Sequence, residues 1–442
     1  MPPQTTSLSL VTVLRQRRDR LAELHPGPVV LWSGQAVSRN FPANTYPFRA
    51  NSHFLYFAGL PLANAALHLE GGRLTLFTDD TSPEAALWHG PSPSREAIAA
   101  DIGADAAYPY QDLDSYLAKA ATLSTQTAGS ECSKALVEAL VTLRLHHDDY
   151  ALDQIKRAAA VSVAAHTAGM AATPGATTEA QVRAAMEQVI MGQNMACAYN
   201  SIVTVHGEVL HNEQYHHNLA PGDLLLADVG AEAPSGWASD ITRTWPVSGR
   251  FTSAQRDIYN LVLAAHDACI AAARPGVEYR NLHLLACRVL AAGLVDLGVL
   301  KGDPDALVER DVHALFFPHG VGHLLGLDVH DMEDLGDMAG YAPGRSRSDR
   351  FGLKFLRLDR PLAANMVVTI EPGFYQVPGI LGPARQSGQY DDAINWDRLK
   401  TFDGVRGIRI ESDVHINSAG CTVLTAALPT HAEAVEALVS GA

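Results

Sequence analysis

Two aspartates in the middle of the chain stand where strands would bury them. Asp228 lies near the end of an apolar run, residues 224–226, that is typical of a buried strand. Asp240 follows a turn rich in Gly, Pro and Ser and begins an alternating segment, residues 240–245, that predicts a second strand. A hairpin of these strands would bring the carboxylates together, and buried carboxylates need a partner. The pair therefore indicates a metal site, although turn and surface positions explain most single aspartates.

Three histidines, His319, His323 and His330, fall within one short segment of the last third of the chain. The glycines between them argue against a regular exposed helix. The HxxxH spacing is by itself a weak metal signal, because many such pairs are ordinary loop residues. These histidines therefore need support from other candidate ligands.

Two glutamates supply that support. Glu371 ends a strand-like segment, residues 366–371, and is followed by a turn. Glu411 lies with Arg409 on one face of another strand-like segment, residues 407–413. We therefore expect four carboxylates and one imidazole to meet on a sheet of antiparallel strands.

The charge of this group predicts what lies between its members. Four carboxylates packed together would take up protons or destabilise the fold, whereas two divalent cations cancel their charge. Oxygen-rich ligation with one nitrogen suits Mn, Co or Zn. In hydrolases with two ions roughly 3.5 to 4 Å apart, a shared water loses a proton near neutral pH and becomes the nucleophile.

Composition excludes several other classes of protein. A chain of 442 residues with 47% hydrophobic content suits a compact enzyme of two or three domains. A net charge of -15 argues against general nucleic-acid binding. No apolar run approaches the about 20 residues that span a bilayer, and the first ten residues lack a signal-peptide pattern, so we expect a cytoplasmic protein. The five scattered cysteines indicate neither disulfides nor a thiolate zinc site.

Alternating patterns predict a small α/β domain over residues 1–146 and a larger domain over residues 147–442. Strands are expected at residues 29–31, 65–69 and 73–77, the last two joined by Gly71-Gly72 as a hairpin. The polar stretch 146–150 marks the boundary, and a long helix follows from near Leu152 to the Pro174-Gly175 stop signal. A further helix is expected over 178–193 and a strand over 199–203.

The five candidate ligands, in this order and local context, resemble those of the pita-bread metallopeptidase family, in its proline-directed branch of aminopeptidase P and prolidase. The segment 46–59 resembles the amino-terminal domain of the same proteins, although many relatives have Asp where this chain has His53. The turn between Asp228 and Asp240 is one residue longer than in many relatives. The resemblance covers nearly the whole chain. It implies an α/β amino-terminal domain of the creatinase and prolidase type, followed by a pita-bread catalytic domain with a curved antiparallel sheet.

The resemblance also implies a cofactor and substrates. Two divalent metal ions, with Mn the expected ion and Co or Zn the alternatives, would be held by Asp228, Asp240, His323, Glu371 and Glu411. Asp240 and Glu411 would be shared by both ions. The substrates would be proline-containing dipeptides or longer peptides, cleaved at the Xaa-Pro bond by the bridging hydroxide. Most relatives are dimers or tetramers, so we expect a homo-oligomer.

Other residues receive roles by the same likeness. Glu371 would also shuttle a proton, and Arg409 would brace the bridging carboxylates. His211 and His330 match histidines that stabilise the tetrahedral intermediate or contact the proline side of the substrate. His319 would line the substrate pocket.

The choice between a dipeptidase and an aminopeptidase rests on Arg357. A dipeptidase must bind a free carboxylate, which suits an arginine fork, and the segment 356–360 resembles the prolidase segment that supplies this arginine. The insertion between Gly373 and Gly407 also resembles prolidases, whereas segments 46–59 and 241–244 are at least as close to aminopeptidase P. The sequence therefore favours an Xaa-Pro dipeptidase, with an Xaa-Pro aminopeptidase as the alternative.

Two other classes share this fold. A hydrolase of phosphorus esters could use the same two-metal nucleophile. An inactive binding protein is a further alternative, but the presence of all five ligands argues against it.

Overall fold

The computed structural model describes residues 9–123 and 131–441. The chain forms two compact units, one of Met1–Gln154 with Pro234–Trp237 and one of Ile155–Ala233 with Ala238–Ala442. The boundary expected between residues 146 and 147 lies just ahead of helix Asp149–Ala172, whose first residues belong to the first unit. Within the described ranges, no helix combines the length and apolar character that crossing a bilayer demands.

The first unit contains the following helices and strands. The helices are α1 (Leu10–Leu24), α2 (Ser52–Ala58), α3 (Pro83–His89), α4 (Arg95–Ile102), α5 (Asp114–Leu117) and α6 (Glu131–Arg144), and α7 (Asp149–Ala172) continues into the second unit. The strands are β1 (Val29–Trp32), β2 (Ala66–Glu70), β3 (Arg73–Phe77), β4 (Ala106–Tyr108) and β5 (Ala121–Thr122).

These strands form one mixed sheet in the order β4-β3-β2-β1-β5. The hairpin of β2 and β3 turns at Gly71 and Gly72, both with positive φ, as the sequence predicts. β4 and β5 pair in parallel with β3 and β1, which gives the predicted α/β character. His53 is buried in α2, where its Nδ1 lies 2.9 Å from Nη1 of Arg144. The residue that departs from the family pattern is therefore a packed residue of the first unit.

The second unit contains the remaining elements. Its helices are α8 (Glu179–Gly192), α9 (Ser253–Ala272), α10 (Tyr279–Asp296), α11 (Pro304–Glu309), α12 (Asp337–Gly340), α13 (Pro378–Ser387), α14 (Trp396–Lys400) and α15 (Ala432–Ser440). Its strands are β6 (Ala196–Cys197), β7 (Ile202–Thr204), β8 (Leu224–Asp228), β9 (Ala231–Glu232), β10 (Thr242–Pro246), β11 (Val367–Ile370), β12 (Gly373–Tyr375), β13 (Gly407–Arg409), β14 (Ser412–Asn417) and β15 (Gly420–Val423).

The predicted hairpin of the two aspartates is present. β10 pairs antiparallel with β8, with Thr242 opposite Asp228, and β7 pairs with the other edge of β8. Asp240 itself precedes β10, because its backbone N–H donates to Oδ1 of Asp413 at 3.1 Å instead of entering the ladder. Every residue of β8 and β10 is buried, as the apolar run 224–226 predicts.

The strands around the site pair antiparallel, as expected from the sequence, and form several short ladders. β11 pairs with β14, and β12 pairs with β13, so the chain crosses between two ladders at Glu371-Pro372 and at Ile410-Glu411. Proline has no N–H to donate, which accounts for a break at this point. Glu411 instead donates its N–H to the carbonyl of Thr242 at 3.0 Å, which joins the crossing point to β10.

Candidate active site

One cavity of the second unit, with a volume of about 480 Å³, collects the candidate residues. Its walls are formed by Leu210, His211, Asp228, Asp240, Pro318, His319, Gly320, Gly322, His323, His330, Arg347, Phe355, Arg357, Glu371, Ile380, Arg409 and Glu411. Every residue that the sequence offered as a ligand, a catalytic group or a substrate contact therefore faces one space.

The glycine-rich segment around His323 lies against β11. The N–H of Thr369 donates to the carbonyl of His323 at 3.0 Å, and the N–H of Glu371 donates to that of Val321 at 2.9 Å. Gly322 has a φ of +154°, and a Cβ at this position would lie 2.3 Å from the carbonyl oxygen of Thr369. Only glycine fits this close approach, which brings His323 and Glu371 to the same wall.

The tautomer of His323 follows from its contacts. Nδ1 lies 3.0 Å from the carbonyl oxygen of Leu324, which can only accept, so Nδ1 carries the proton. Nε2 then turns a lone pair toward carboxylate oxygens of Asp240 at 3.4 Å, Glu371 at 3.5 Å and Glu411 at 4.0 Å. A lone pair facing three carboxylates is repulsive unless a cation lies between them, and this hydrogen-bonded form of histidine is the one that binds metals.

Asp228 is held from both sides. Its Oδ2 accepts from Nη2 of Arg409 at 2.6 Å, and its Oδ1 lies 2.5 Å from the hydroxyl of Tyr199. The same hydroxyl lies 2.6 Å from Oδ1 of Asp240. A hydroxyl has one proton, so Tyr199 can donate to only one of these carboxylates at a time.

Glu411 supplies a further sign of a metal site. Its Oε2 accepts from the hydroxyl of Thr242 at 2.6 Å, and Thr242 in turn accepts from Nε of Arg409 at 3.0 Å. Among the residues that the structure describes, the buried Oε1 of Glu411 has no hydrogen-bond partner. Donor atoms of Asp240, His323 and Glu411 lie within 4.8 Å of one another. The residues present therefore fit divalent cations, which would satisfy these oxygens and Nε2 of His323 together.

The pKa directions agree with this fit. Burial, together with neighbouring carboxylates, raises the pKa values of Asp240, Glu371 and Glu411 well above their usual range. Burial also acts to raise the pKa of Asp228, but Arg409 and Tyr199 bring it below the usual value. Burial lowers the pKa of His323 to about 4, so its imidazole is neutral. Four ionised carboxylates are therefore unfavourable here without added positive charge.

Asp413 supports the site without facing the cavity. It is fully buried, and its carboxylate accepts from the hydroxyl of Ser239 at 2.7 Å and from the N–H of Asp240 at 3.1 Å. Burial raises the pKa of Asp413 to about 7. Asp413 thus fixes the backbone that carries Asp240.

A second row of contacts leads from Arg409 to the pocket wall. Nη1 of Arg409 donates to the hydroxyl oxygen of Tyr375 at 2.9 Å, and Tyr375 lies 2.9 Å from Nε2 of His319. Nδ1 of His319 lies 2.8 Å from the carbonyl oxygen of Gly320, so it is the protonated nitrogen. Nε2 therefore accepts the proton of Tyr375, and His319 is fixed at the wall, where the sequence places it.

The remaining predicted substrate contacts are among the more exposed residues of the cavity wall. His211 is exposed, and His330 is half-buried with its ring 4.3 Å from that of His323. Nη1 of Arg357 pairs with the carboxylate of Glu333 at 2.7 Å, and Nδ1 of His330 lies 3.4 Å from the same carboxylate. The charge of Arg357, which the sequence reserves for a substrate carboxylate, is thus balanced within the chain.

Two protein-family models match this chain. Residues 153–418 match the model of metallopeptidase family M24, and residues 14–128 match that of the aminopeptidase P N-terminal domain. The chain belongs to metallopeptidase family M24. A probable Xaa-Pro aminopeptidase of Leptosphaeria maculans is 33% identical over 90% of this chain and 72% of its own length. One from Tuber melanosporum is 31% identical over 92% and 91%.

Solved structures agree with the family assignment to M24. Proline aminopeptidase P II from Yersinia pestis has a TM-score of 0.80 and 28% identity, covering 98% of this chain and 100% of that one. Zn-substituted Escherichia coli aminopeptidase P in complex with product has the same TM-score and identity, covering 99% of both chains. The predicted fold class, an α/β amino-terminal domain with a pita-bread catalytic domain, is confirmed. The preference for a dipeptidase is not supported, and these relatives favour the aminopeptidase alternative.

Several residues that contact the candidate site residues were not predicted from the sequence. Tyr199 falls in a segment predicted as strand, but β7 begins only at Ile202, and the Tyr199 side chain contacts the carboxylates instead. Glu333, Tyr375 and Asp413 also received no role. Thr242, which contacts Glu411 and Arg409, is the one supporting residue that the sequence indicated, because it alternates with Asp240 in the predicted strand.

Proposed function

We propose that this M24 protein is a metal-dependent Xaa-Pro aminopeptidase, which removes the residue before proline at the amino terminus of peptides. The observation that carries the proposal over a dipeptidase is the pairing of the arginines that line the cavity. Arg347 pairs with Asp337 at 2.8 Å, Arg357 with Glu333 at 2.7 Å and Arg409 with Asp228 at 2.6 Å. In the described part of the lining, each arginine is therefore already matched by a carboxylate.

A dipeptidase needs a cation for the free carboxylate of its substrate, as an arginine fork would provide. An aminopeptidase substrate continues as a peptide beyond proline and has no charge at this point. A pocket with its arginines neutralised suits the second substrate, and the names carried by the relatives from Leptosphaeria maculans and Tuber melanosporum support the same activity.

The cofactor of the proposed reaction is a pair of divalent ions, with Mn the expected metal and Co or Zn the alternatives. Asp228, Asp240, His323, Glu371 and Glu411 would hold them. When bound, such ions supply an activated water as nucleophile and polarise the scissile carbonyl.

In the proposed reaction, Glu371 is the residue that moves the proton that hydrolysis requires. It faces the cavity beside His323, with 3.5 Å between its Oε1 and Nε2 of the imidazole. Burial and the charge of Glu411 raise its pKa well above the usual range, so it can hold a proton. Glu371 would take the proton of the attacking water and pass it to the proline nitrogen as the peptide bond breaks.

The polar and apolar walls would position the substrate. His211 and His330 face the cavity on the polar side, where an imidazole can donate to the oxygen that gains charge during attack. Phe355, Ile380 and Pro318 form apolar wall that suits a proline ring.

The test is a comparison of substrates on protein stripped with chelator and reloaded with Mn. We expect kcat/KM for an Xaa-Pro-Xaa tripeptide to exceed that for the matching Xaa-Pro dipeptide by roughly tenfold or more, equivalent to about 1.4 kcal/mol of transition-state binding. The Asp228→Asn variant is the matched background control and should cleave neither. A preference for the dipeptide would overturn the proposal and restore Arg357 as a carboxylate-binding residue.

A further inference from the structure

A second group of potential metal ligands lies in the second unit, outside the cavity. His283 and Cys287 stand one turn apart on α10, and His313 comes from the 3₁₀ turn Val312–Leu315. One donor atom from each residue lies within 4.8 Å of the others, and all three side chains are buried. Histidine and cysteine at this spacing on a helix present their donors on the same face.

Three of the four imidazole nitrogens of this group lack hydrogen-bond partners among the described residues. In the described ranges, Nδ1 and Nε2 of His313 and Nδ1 of His283 are buried without a hydrogen bond. A neutral imidazole has one donor and one acceptor, and leaving both unpaired in the interior costs free energy. Such orphaned groups in a native fold call for a ligand or a water that satisfies them.

A backbone carbonyl provides a fourth donor next to the three side chains. The carbonyl oxygen of Gly352 lies 2.8 Å from Nε2 of His283, and Sγ of Cys287 lies 3.5 Å from the same nitrogen. A Cβ at Gly352 would lie 2.8 Å from Nε2 of His313. The absence of a side chain at Gly352 therefore leaves room for the ring of His313 next to this residue, while its carbonyl contacts His283.

We propose that His283, Cys287 and His313 form a structural site for one divalent cation of the zinc type, with the carbonyl of Gly352 as the fourth ligand. Two imidazoles and a thiolate are the donors that Zn²⁺ prefers, whereas the cavity offers an oxygen-rich set. On binding, the cation takes the place of the thiol proton, which is released. The proton on Nε2 of His283 is exchanged for one on Nδ1.

The position of the site suggests what the ion stabilises. The ring of Phe317 lies between the two sites, 5.6 Å from the ring of His283 and 4.8 Å from that of His319. The turn that carries His313 leads directly into the segment of His319 and His323. An ion at this point would hold that segment in place through the packing of Phe317. It would not contact the substrate.

The test uses the holoprotein with Co²⁺ in place of its metals, because a thiolate bound to Co²⁺ gives a near-ultraviolet charge-transfer band. The five ligands proposed for the cavity include no sulfur, so the band reports the second site alone. We expect the band in the wild-type chain and in the Asp228→Asn variant. It should be lost in both Cys287→Ser and His313→Gln, together with one equivalent of metal by elemental analysis.

The matched control is Cys269→Ser, because Cys269 is also buried but lies outside the group. This variant should keep the band and the full metal content. Absence of the thiolate band from the wild-type chain, with metal found only at the level of the cavity, would overturn the proposal even if a variant failed to fold. Equal loss of the band in Cys269→Ser would overturn it as well. Neither result bears on the proposed peptidase activity.

Discussion

At the scale of single residues, Arg409 links three elements of the site. Its guanidinium donates to Asp228 at the end of β8, to Thr242 at the start of β10 and to Tyr375 in β12. We expect Arg409→Lys to lower kcat/KM or metal affinity by about 10-fold to 100-fold, because an ammonium cannot reproduce the planar fork. Steady-state kinetics and metal titration measure both quantities.

The matched control is Arg288, an exposed residue of α10 that pairs with Asp305 of α11 at 2.7 Å. Arg288→Lys should leave activity and metal binding unchanged. Equal effects of the two substitutions would contradict the role assigned to Arg409.

The pair of Arg357 and Glu333 gives a second prediction at this scale. Burial works against ionisation of Glu333, but His330 and Arg357 lower its pKa to about 2, so the pair is formed at neutral pH. Glu333→Gln would free the charge of Arg357, and we expect the KM for an Xaa-Pro dipeptide to fall several-fold while tripeptide cleavage changes little.

The double variant Glu333→Gln with Arg357→Ala tests the cause. It should lose the gain in dipeptide binding, because the freed cation is removed. If both variants bind the dipeptide equally well, Arg357 does not contact the substrate carboxylate.

The sequence predicted the residues of the cavity better than their partners. Asp228, Glu371 and Glu411 each interrupt or end an apolar strand pattern, and a carboxylate in such a place has no local explanation. Tyr199 and Asp413 have no comparable signal. Their roles depend on contacts across the fold, which residue spacing along the chain does not record.

At the scale of elements, the β8 and β10 hairpin sets the distance between Asp228 and Asp240. Gly230 lies inside this hairpin, where a Cβ would come 1.9 Å from the carbonyl oxygen of Ser239. We expect Gly230→Ala to cost about 1 to 3 kcal/mol of stability and to weaken metal binding, since the backbone must shift to admit a methyl group. Denaturant unfolding and metal titration test this.

Gly192, the last residue of α8, has open space where its Cβ would be. Gly192→Ala should therefore leave the free energy of unfolding unchanged or raise it by up to about 1 kcal/mol. A similar loss of stability in both variants would show that the crowding at Gly230 is not the cause.

Elements with a strong periodic pattern were predicted closely, as with the helix expected over 178–193 and found at Glu179–Gly192. The antiparallel pairing of the strands around the site agrees with the prediction, but the division of these strands at Pro372 and Glu411 into separate ladders was not predicted. Periodicity identifies a strand, but the break between ladders depends on hydrogen bonds made by residues distant in sequence.

At the scale of the whole molecule, a buried histidine connects stability to pH. His166 is fully buried in α7, and its Nε2 donates to the carbonyl of Val229 at 3.0 Å. Burial, with Arg243, lowers its pKa to about 4 from the ordinary 6.5. The unfolded chain therefore binds more protons between these values, so stability is full above 6.5 and falls as pH decreases toward 4.

From this shift, we expect the free energy of unfolding to fall by about 2 kcal/mol between roughly pH 7.5 and pH 5 on account of His166 alone. His166→Gln keeps a donor for Val229 but does not titrate, so its stability should depend less on pH by that amount. Urea unfolding with chelator present gives both values. Parallel pH dependences in the two proteins would contradict this prediction.

The division into domains at residue 147 stays a prediction. In the structure, the first compact unit ends at Gln154 and also includes residues 234–237. A turn so far along the chain carries no sequence signal for membership of the first unit, because its composition is that of any turn.

The proposed peptidase activity requires two metal ions in the cavity, held by Asp228, Asp240, His323, Glu371 and Glu411. The most direct measurement is the titration of chelator-stripped protein with Mn while cleavage of an Xaa-Pro-Xaa peptide is followed. We expect no cleavage by the stripped protein and recovery of cleavage as the metal is added. Undiminished cleavage by the stripped protein, or none after full reloading, would contradict a metal-dependent reaction at these five residues.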